Sequence, residues 1–192
     1  VPVVVETGQI HIKPVKPLPQ DLQQILDGAT EGVIYFSLGS NVKSANLENK
    51  VRNTIRQALS ELPYKVLWKW ESDYLPGRPK NVVTRKWFPQ QDVLGQWILT
   101  DFFILINGCS KSKYSCFCYT SGLQSIEEAI FRGVPLIGMP FMRDQPMNVQ
   151  KIIDMGIGLG IDPVTMTKEE LKKCIIEVAE NNKWVVVVVI WV

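Results

Sequence analysis

The chain has 192 residues, 46% of them hydrophobic, with 21 Lys and Arg against 19 Asp and Glu. That is enough apolar sequence to bury the core of one compact domain, and the near-neutral, scattered charge leaves nucleic acid out as a partner. The longest apolar stretches, 97–106 and 184–192, fall short of the ~20 residues of a membrane-crossing helix. The chain opens at Val1 without a basic segment, apolar core and cleavage site, so it reads as a fragment or a processed piece with no signal sequence. Cys109, Cys116, Cys118 and Cys174 have a spacing that matches no common zinc site and are read as ordinary thiols, so no metal is expected.

The opening VPVVVETGQIHIKPVKPLPQDLQ carries four prolines, which remove backbone donors and hold the chain extended. Residues 1–21 are therefore read as a linker that enters a domain at Leu22. GVIYFSLGS follows as a buried strand that delivers a small-residue loop. Asn46 precedes a helix in which Leu47, Val51, Ile55 and Leu59 recur every four residues. KVLWKWE and NVVTRKWF are the next strands, separated by the turn Leu-Pro-Gly-Arg-Pro.

Further along come a strand at CFCY and the helix SIEEAIFRG, closed by Gly133. The strand VPLIGMP, the helix QPMNVQKIIDMG ended by Gly156, and a weak strand GIGLGI follow. Thr167 and Glu170 form a T-x-x-E capping box ahead of the last helix, LKKCIIEVAE. Alternating strands and helices from Gly32 to Glu180 imply an α/β fold with a parallel sheet and helices on both faces. Ligands bind such sheets outside the C-terminal ends of the strands, so the informative loops follow Leu38, Phe88, Tyr119 and Pro140.

At the third of these loops, Thr120, Ser121 and Gly122 lead into a helix beginning near Gln124 and Ser125. Unpaired N–H groups and the helix dipole converge there and suit an anion. Glu127 and Glu128 lie one turn further on, where a carboxylate can accept hydrogen bonds from ribose hydroxyls. A plain cap and dipole partners are the alternative reading of the same residues.

Taken in order, KWFPQQDVL, SGLQSIEEAI, GVPLIGMPF and DQPMNV resemble the signature of the UDP-glycosyltransferase family, in particular its animal UDP-glucuronosyltransferase-like members. With IHIKPVKPLPQDLQ and GVIYFSLGSN the likeness runs from Gly8 to Asn182. It implies the C-terminal, UDP-sugar-binding Rossmann-like domain (22–183) of a two-domain GT-B enzyme, whose N-terminal domain would bind a small lipophilic acceptor. By this resemblance Trp87 packs along the uracil ring and Gln90 contacts its edge. Ser37, Gly39 and Ser40 approach the diphosphate together with Thr120, Gly122, Gln124 and Ser125. Glu128 holds the ribose, and Asp144 and Gln145 grip the transferred sugar. Read as structure alone, Trp87 is a core residue, Gln90 a turn residue, Ser37 and Ser40 parts of a tight turn, and Asp144-Gln145 a helix cap.

The family transfers a hexosyl group with inversion, its base a His of the N-terminal domain, and needs no cofactor beyond the UDP-sugar. No catalytic residue is expected in this chain, whose single histidine, His11, is read as a packed or solvated linker residue. The intact protein is expected in the endoplasmic reticulum membrane, facing the lumen. Three features depart from the family pattern. An irregular insertion spans about 96–116, and the phosphate loop has Thr120 and Ser121 where the family has a His or Gln and a glycine. The tail 184–192 is a valine-rich, aggregation-prone run. A positive φ at Ser121 would cost ~1 kcal/mol relative to glycine, so weakened diphosphate binding is expected. An altered reading frame would account for the insertion and the tail. The alternatives are a non-catalytic nucleotide-sugar-binding subunit and an inactive truncated product.

Overall fold

The computed structural model describes residues 8–96, 114–119 and 122–184. Residues 1–7, Cys109 with the insertion at 97–113, Thr120, Ser121 and the tail from 185 lie outside the described residues. Among the described residues six strands form one sheet: β1 (Val33–Ser37), β2 (Lys65–Lys69), β3 (Val82–Arg85), β4 (Tyr114–Tyr119), β5 (Leu136–Gly138) and β6 (Gly158–Gly160). Their order is β3-β2-β1-β4-β5-β6, and every pairing is parallel. The helices are α1 (Gln20–Asp27), α2 (Asn49–Ser60), α3 from residue 90 with described residues to 96, α4 (Leu123–Phe131), α5 (Gln145–Asp154) and α6 (Lys168–Glu180). The α/β class with a parallel sheet is the one that the alternating pattern predicts.

All five residues of β1 are buried, as a central parallel strand covered on both faces requires. Successive side chains point to opposite faces. Ile34 and Phe36 join Val66, Trp68, Ile55, Leu59, Leu171 and Ile175 in the cluster beneath α2 and α6. Val33 and Tyr35 join Leu67, Leu22, Leu26, Val93 and Ile126 in the cluster beneath α1, α3 and α4. The first cluster is rich in aromatics, with Phe36 edge-on to Trp68 at 5.2 Å and Trp68 edge-on to Trp70 at 5.4 Å. These are favourable ring geometries.

Local details follow the sequence with one shift. α2 starts at Asn49, while Ser44–Asn46 form a 3-10 turn and Leu47 is extended. Leu47 still packs on the same cluster as Val51, Ile55 and Leu59, so it continues the apolar stripe from outside the helix. The capping box is formed: Glu170 N donates to Thr167 Oγ1 at 3.2 Å, and Thr167 N donates to Glu170 Oε2 at 2.8 Å. Glu61 at the end of α2 accepts from Lys168 and Lys172 of α6, bonds that bring its carboxyl down to about 2.

The predicted linker is not loose where it is described. Leu18 belongs to the core, and the backbone amides of Lys13 and Lys16 donate to Gln91 and Asp92 of α3 at 2.8 Å each. α1 starts at Gln20, immediately after Pro19.

The chain runs outward from β1 through β2 to β3, then crosses back to β4 on the other side of β1 and continues to β5 and β6. β1 and β4 therefore flank the topological switch point, where a crevice opens outside the strand ends. At the far edge, a Cβ on Gly158 would lie 2.0 Å from the Leu136 carbonyl oxygen and 3.0 Å from Ile152. The first neighbour is backbone of the adjacent strand and cannot rotate away. Gly158→Ala is expected to destabilise the fold by about 1–3 kcal/mol in urea unfolding, whereas an unchanged midpoint would mean that β6 does not pack as described.

Candidate functional site

A cavity of about 640 Å³ occupies the switch point, within the range of small-molecule sites. β1 delivers its first wall. Ser37 is buried, and its Oγ accepts from Gly39 N at 3.3 Å across a turn in which Gly39 has φ +71°. That conformation favours glycine. Lys69, at the end of β2 and 7% exposed, donates to Gly39 O at 2.9 Å and to Glu71 Oε1 at 2.8 Å. The other oxygen of Glu71 accepts from Ala45 N at 3.3 Å. One ion pair thus pins both ends of the loop that carries Ser40. Tyr35 lies beneath, and burial pushes its phenol well above the ordinary value, partly offset by a hydrogen bond with Ser37.

The second wall follows β3. Trp87 is 70% exposed while its neighbour Phe88 is buried edge-on against Tyr35 at 5.8 Å. The reading of Trp87 as a core residue therefore fails. Its indole lines the cavity, with Lys69 Nζ 5.9 Å from the ring centroid. Gln90 opens α3 and donates from Nε2 to Glu128 Oε2 at 2.7 Å and to Ser125 Oγ at 3.1 Å. Its Oε1 has no hydrogen bond among the described residues.

The third wall is α4. Gly122 is its N-cap and provides no side-chain cap, so the first-turn amides at Leu123 and Gln124 have no capping side chain. Glu128 is 9% exposed and lies on the same helix. Its Oε2 accepts from Gln90 and its Oε1 from Gln91 at 2.9 Å. His11 is packed rather than solvated: its Nε2 lies 3.3 Å from Gln124 O and 3.5 Å from Glu128 Oε1.

The fourth wall precedes α5. Asp144 stands at the N-cap position, but its side chain makes no cap bond and instead accepts from Asn148 Nδ2 at 2.7 Å. Gln145 is buried, and its Oε1 accepts from Phe141 N at 2.7 Å and Met142 N at 3.1 Å. That oxygen is committed to closing its own loop, which leaves Asp144 as the pair's exposed carboxylate.

Every residue that the family likeness assigns to the site lines this cavity except Thr120, which lies outside the described residues; Glu127, the neighbour of Glu128, does not line it. The cavity also takes in Lys69, Gln91, Arg143, Lys13 and Lys16, which sequence reading did not single out. Lys69 left one signal, a cation within the apolar run KVLWKWE. Lys13, Lys16 and Gln91 left none, because their partners are remote in sequence. Among the described residues no group of three or more His, Cys, Asp or Glu is placed to hold a metal ion.

Residues 1–189 match the sequence profile of the family described as UDP-glucoronosyl and UDP-glucosyl transferase. The chain is 33% identical over 184 residues to UDP-glucosyltransferase 2 of Dactylopius coccus, covering 96% of this chain and 33% of that protein. It is 34% identical over 175 residues to UDP-glucuronosyltransferase 2B15 of Rattus norvegicus, covering 91% of this chain and 30% of that one. It thus spans about a third of the length of these curated relatives. Among solved structures it resembles Os79 of O. sativa, crystallised with UDP, with a TM-score of 0.66 and 22% identity over 87% of this chain and 36% of that one. A second likeness is to the glycotransferase of kitacinnamycin, with a TM-score of 0.65 and 23% identity over 95% of this chain and 41% of that one. These likenesses bear out the expected fold, a Rossmann-like domain of the GT-B glycosyltransferases.

Within the site, Lys69→Met removes the partner of Glu71 and the donor to Gly39. Losing one member of a buried pair leaves the other charge uncompensated, so the variant is expected to lose about 3 kcal/mol of stability in denaturant unfolding. Stability equal to the parent would show that the loop is held by other contacts.

Proposed function

Since the chain belongs to the UDP-glucoronosyl and UDP-glucosyl transferase family, we propose that it is the nucleotide-sugar-binding half of a UDP-dependent glycosyltransferase. The observation that carries this reading is the convergence of an exposed indole, a buried carboxylate and an uncapped helix N-terminus on one cavity at the switch point. A planar base suits the face of Trp87, with the Gln90 amide at its edge. Ribose hydroxyls are donors, and Glu128 is an acceptor with lone pairs beyond those given to Gln90 and Gln91. The diphosphate would lie between the Gly39–Ser40 turn and the first turn of α4, where amides and the dipole favour negative charge. Asp144 and Gln145 would then meet the hydroxyls of the hexose.

In the intact enzyme, a base in the acceptor-binding half takes the proton of the acceptor hydroxyl. The oxygen attacks the anomeric carbon, the bond to the diphosphate breaks, and UDP leaves with the electron pair. This one-step displacement inverts the anomeric centre. The part proposed for this chain is to orient the sugar and to stabilise charge on the departing diphosphate with preorganised donors. Acceptor binding and the base are assigned to a domain outside these 192 residues, so the chain alone is proposed to bind donor without turning it over. Substitution of Thr120 and Ser121 for the family's residues is proposed to weaken the diphosphate contact.

The donor, glucose or glucuronate on UDP, is proposed to bind without a metal, and the acceptor to be small and lipophilic. The intact protein is assigned to the endoplasmic reticulum membrane with this domain in the lumen. Among the described residues no helix is long and apolar enough to cross a membrane.

Calorimetric titration of UDP tests the reading. Trp87→Ala removes an exposed ring and is expected to weaken UDP about tenfold with little change in melting temperature. Glu128→Ala is expected to weaken it about tenfold or more, because hydrogen bonds to a charged group are lost. Parent affinity in both variants would contradict the assignment.

A further inference from the structure

Residues 9–16 belong to no strand or helix, yet they make a dense set of hydrogen bonds with α3 and α4. Gln9 N donates to Glu127 Oε2 at 3.3 Å, and Arg132 Nη2 donates to Lys13 O at 2.9 Å. Val15 sits so close to α3 that a Cβ on Gly95 would lie 2.4 Å from its methyl group. Gln91 is the centre of this set. Its Oε1 accepts from Lys13 N at 2.8 Å, and its Nε2 donates to His11 O at 3.2 Å and to Glu128 Oε1 at 2.9 Å.

The orientation of that amide follows from its partners. Lys13 N is a donor and can meet only the oxygen of Gln91, which turns Nε2 toward the His11 carbonyl and the Glu128 carboxylate. Rotating the side chain would break all three bonds. Glu128 needs such donors, since a buried carboxylate without them is costly. Among the described residues Gln90 and Gln91 supply one to each oxygen, and His11 Nε2 lies 3.5 Å from Oε1. Gln90 is the one assigned to the base, which its unbonded Oε1 can meet while Nε2 keeps its bond to Glu128. Gln91 is tied to the segment and stays.

We propose that Gln91 is a positioning residue for ribose recognition, through which the docked segment 11–13 sets the Glu128 carboxylate in the donor cavity. The proposal rests on the reading of Glu128 as the ribose acceptor and adds that the segment preceding the α/β core is part of the nucleoside subsite. The geometry needed is that of a diol meeting a carboxylate whose plane is fixed by a donor on the side away from the ligand.

The experiment measures the dissociation constants of UDP and 2′-deoxy-UDP with the 192-residue chain, together with the melting temperature of each variant. Parent protein is expected to prefer UDP by about tenfold or more. Gln91→Glu keeps the acceptor for Lys13 N but turns a second carboxylate toward Glu128, and Gln91→Ala removes the bracket altogether. In both the UDP preference is expected to fall close to one, UDP losing more affinity than 2′-deoxy-UDP, which has only its 3′-hydroxyl to lose from Glu128. A purely structural role would weaken both nucleotides together and leave their ratio intact, so a parental ratio overturns the proposal. If one variant fails to fold, the other decides. Parent protein that binds both nucleotides equally overturns the ribose role of Glu128, and parent protein that does not bind UDP overturns the donor reading with everything built on it.

Discussion

On either side of β1 the chain leaves the sheet in opposite directions, toward β2 on one side and from β4 toward β5 and β6 on the other. Among the described residues no connection then covers the C-terminal ends of β1 and β4, and the sheet itself leaves a crevice there. Everything assigned to function depends on that topological constraint. The Ser37–Ser40 turn, the Trp87 loop and the first turn of α4 follow the exits of β1, β3 and β4, brought to one side of the sheet because the strands are parallel. A sheet of another order would scatter them.

Topology opens the crevice, but buried polar contacts give it shape. Lys69 and Glu71 hold the β1 exit from beneath, and Gln90 and Gln91 hold Glu128 from the α3 side. Lys69, Glu71 and Glu128 are charges taken largely out of water, which is tolerable only where partners are in place. The same requirement makes the site stiff. A carboxylate with a fixed donor on each oxygen presents its remaining lone pairs in set directions, which is what preorganised recognition of a hydroxyl pair needs. The predicted linker takes part in this, since Gln91 is oriented by the backbone of His11 and Lys13.

The sheet was largely legible in the sequence because a doubly covered strand must be apolar throughout, and VIYFS and VLW read that way. The helices were legible from their apolar stripes and from signals such as the Thr167–Glu170 box. The start of α2 was misplaced because Leu47 shares the stripe without being helical; burial fixes which side chains face the core, not where the backbone begins to coil. Trp87 could be recognised as exposed only from the family likeness, since WF alone does not say which ring turns inward. Gln91 and the docking of His11 were not legible. Their partners are far apart in the chain, 80 residues from Gln91 to His11 and 113 from His11 to Gln124, and no local pattern encodes such bonds.

The central claim is that the crevice between β1 and β4 is a donor-nucleotide site organised around Glu128. A crystal structure of this chain with UDP tests it most directly. The account predicts uracil against the Trp87 ring, ribose hydroxyls within hydrogen-bond distance of the Glu128 carboxylate, and phosphates at the first turn of α4. UDP bound elsewhere on the molecule, or in the crevice with its ribose turned away from Glu128, would contradict it.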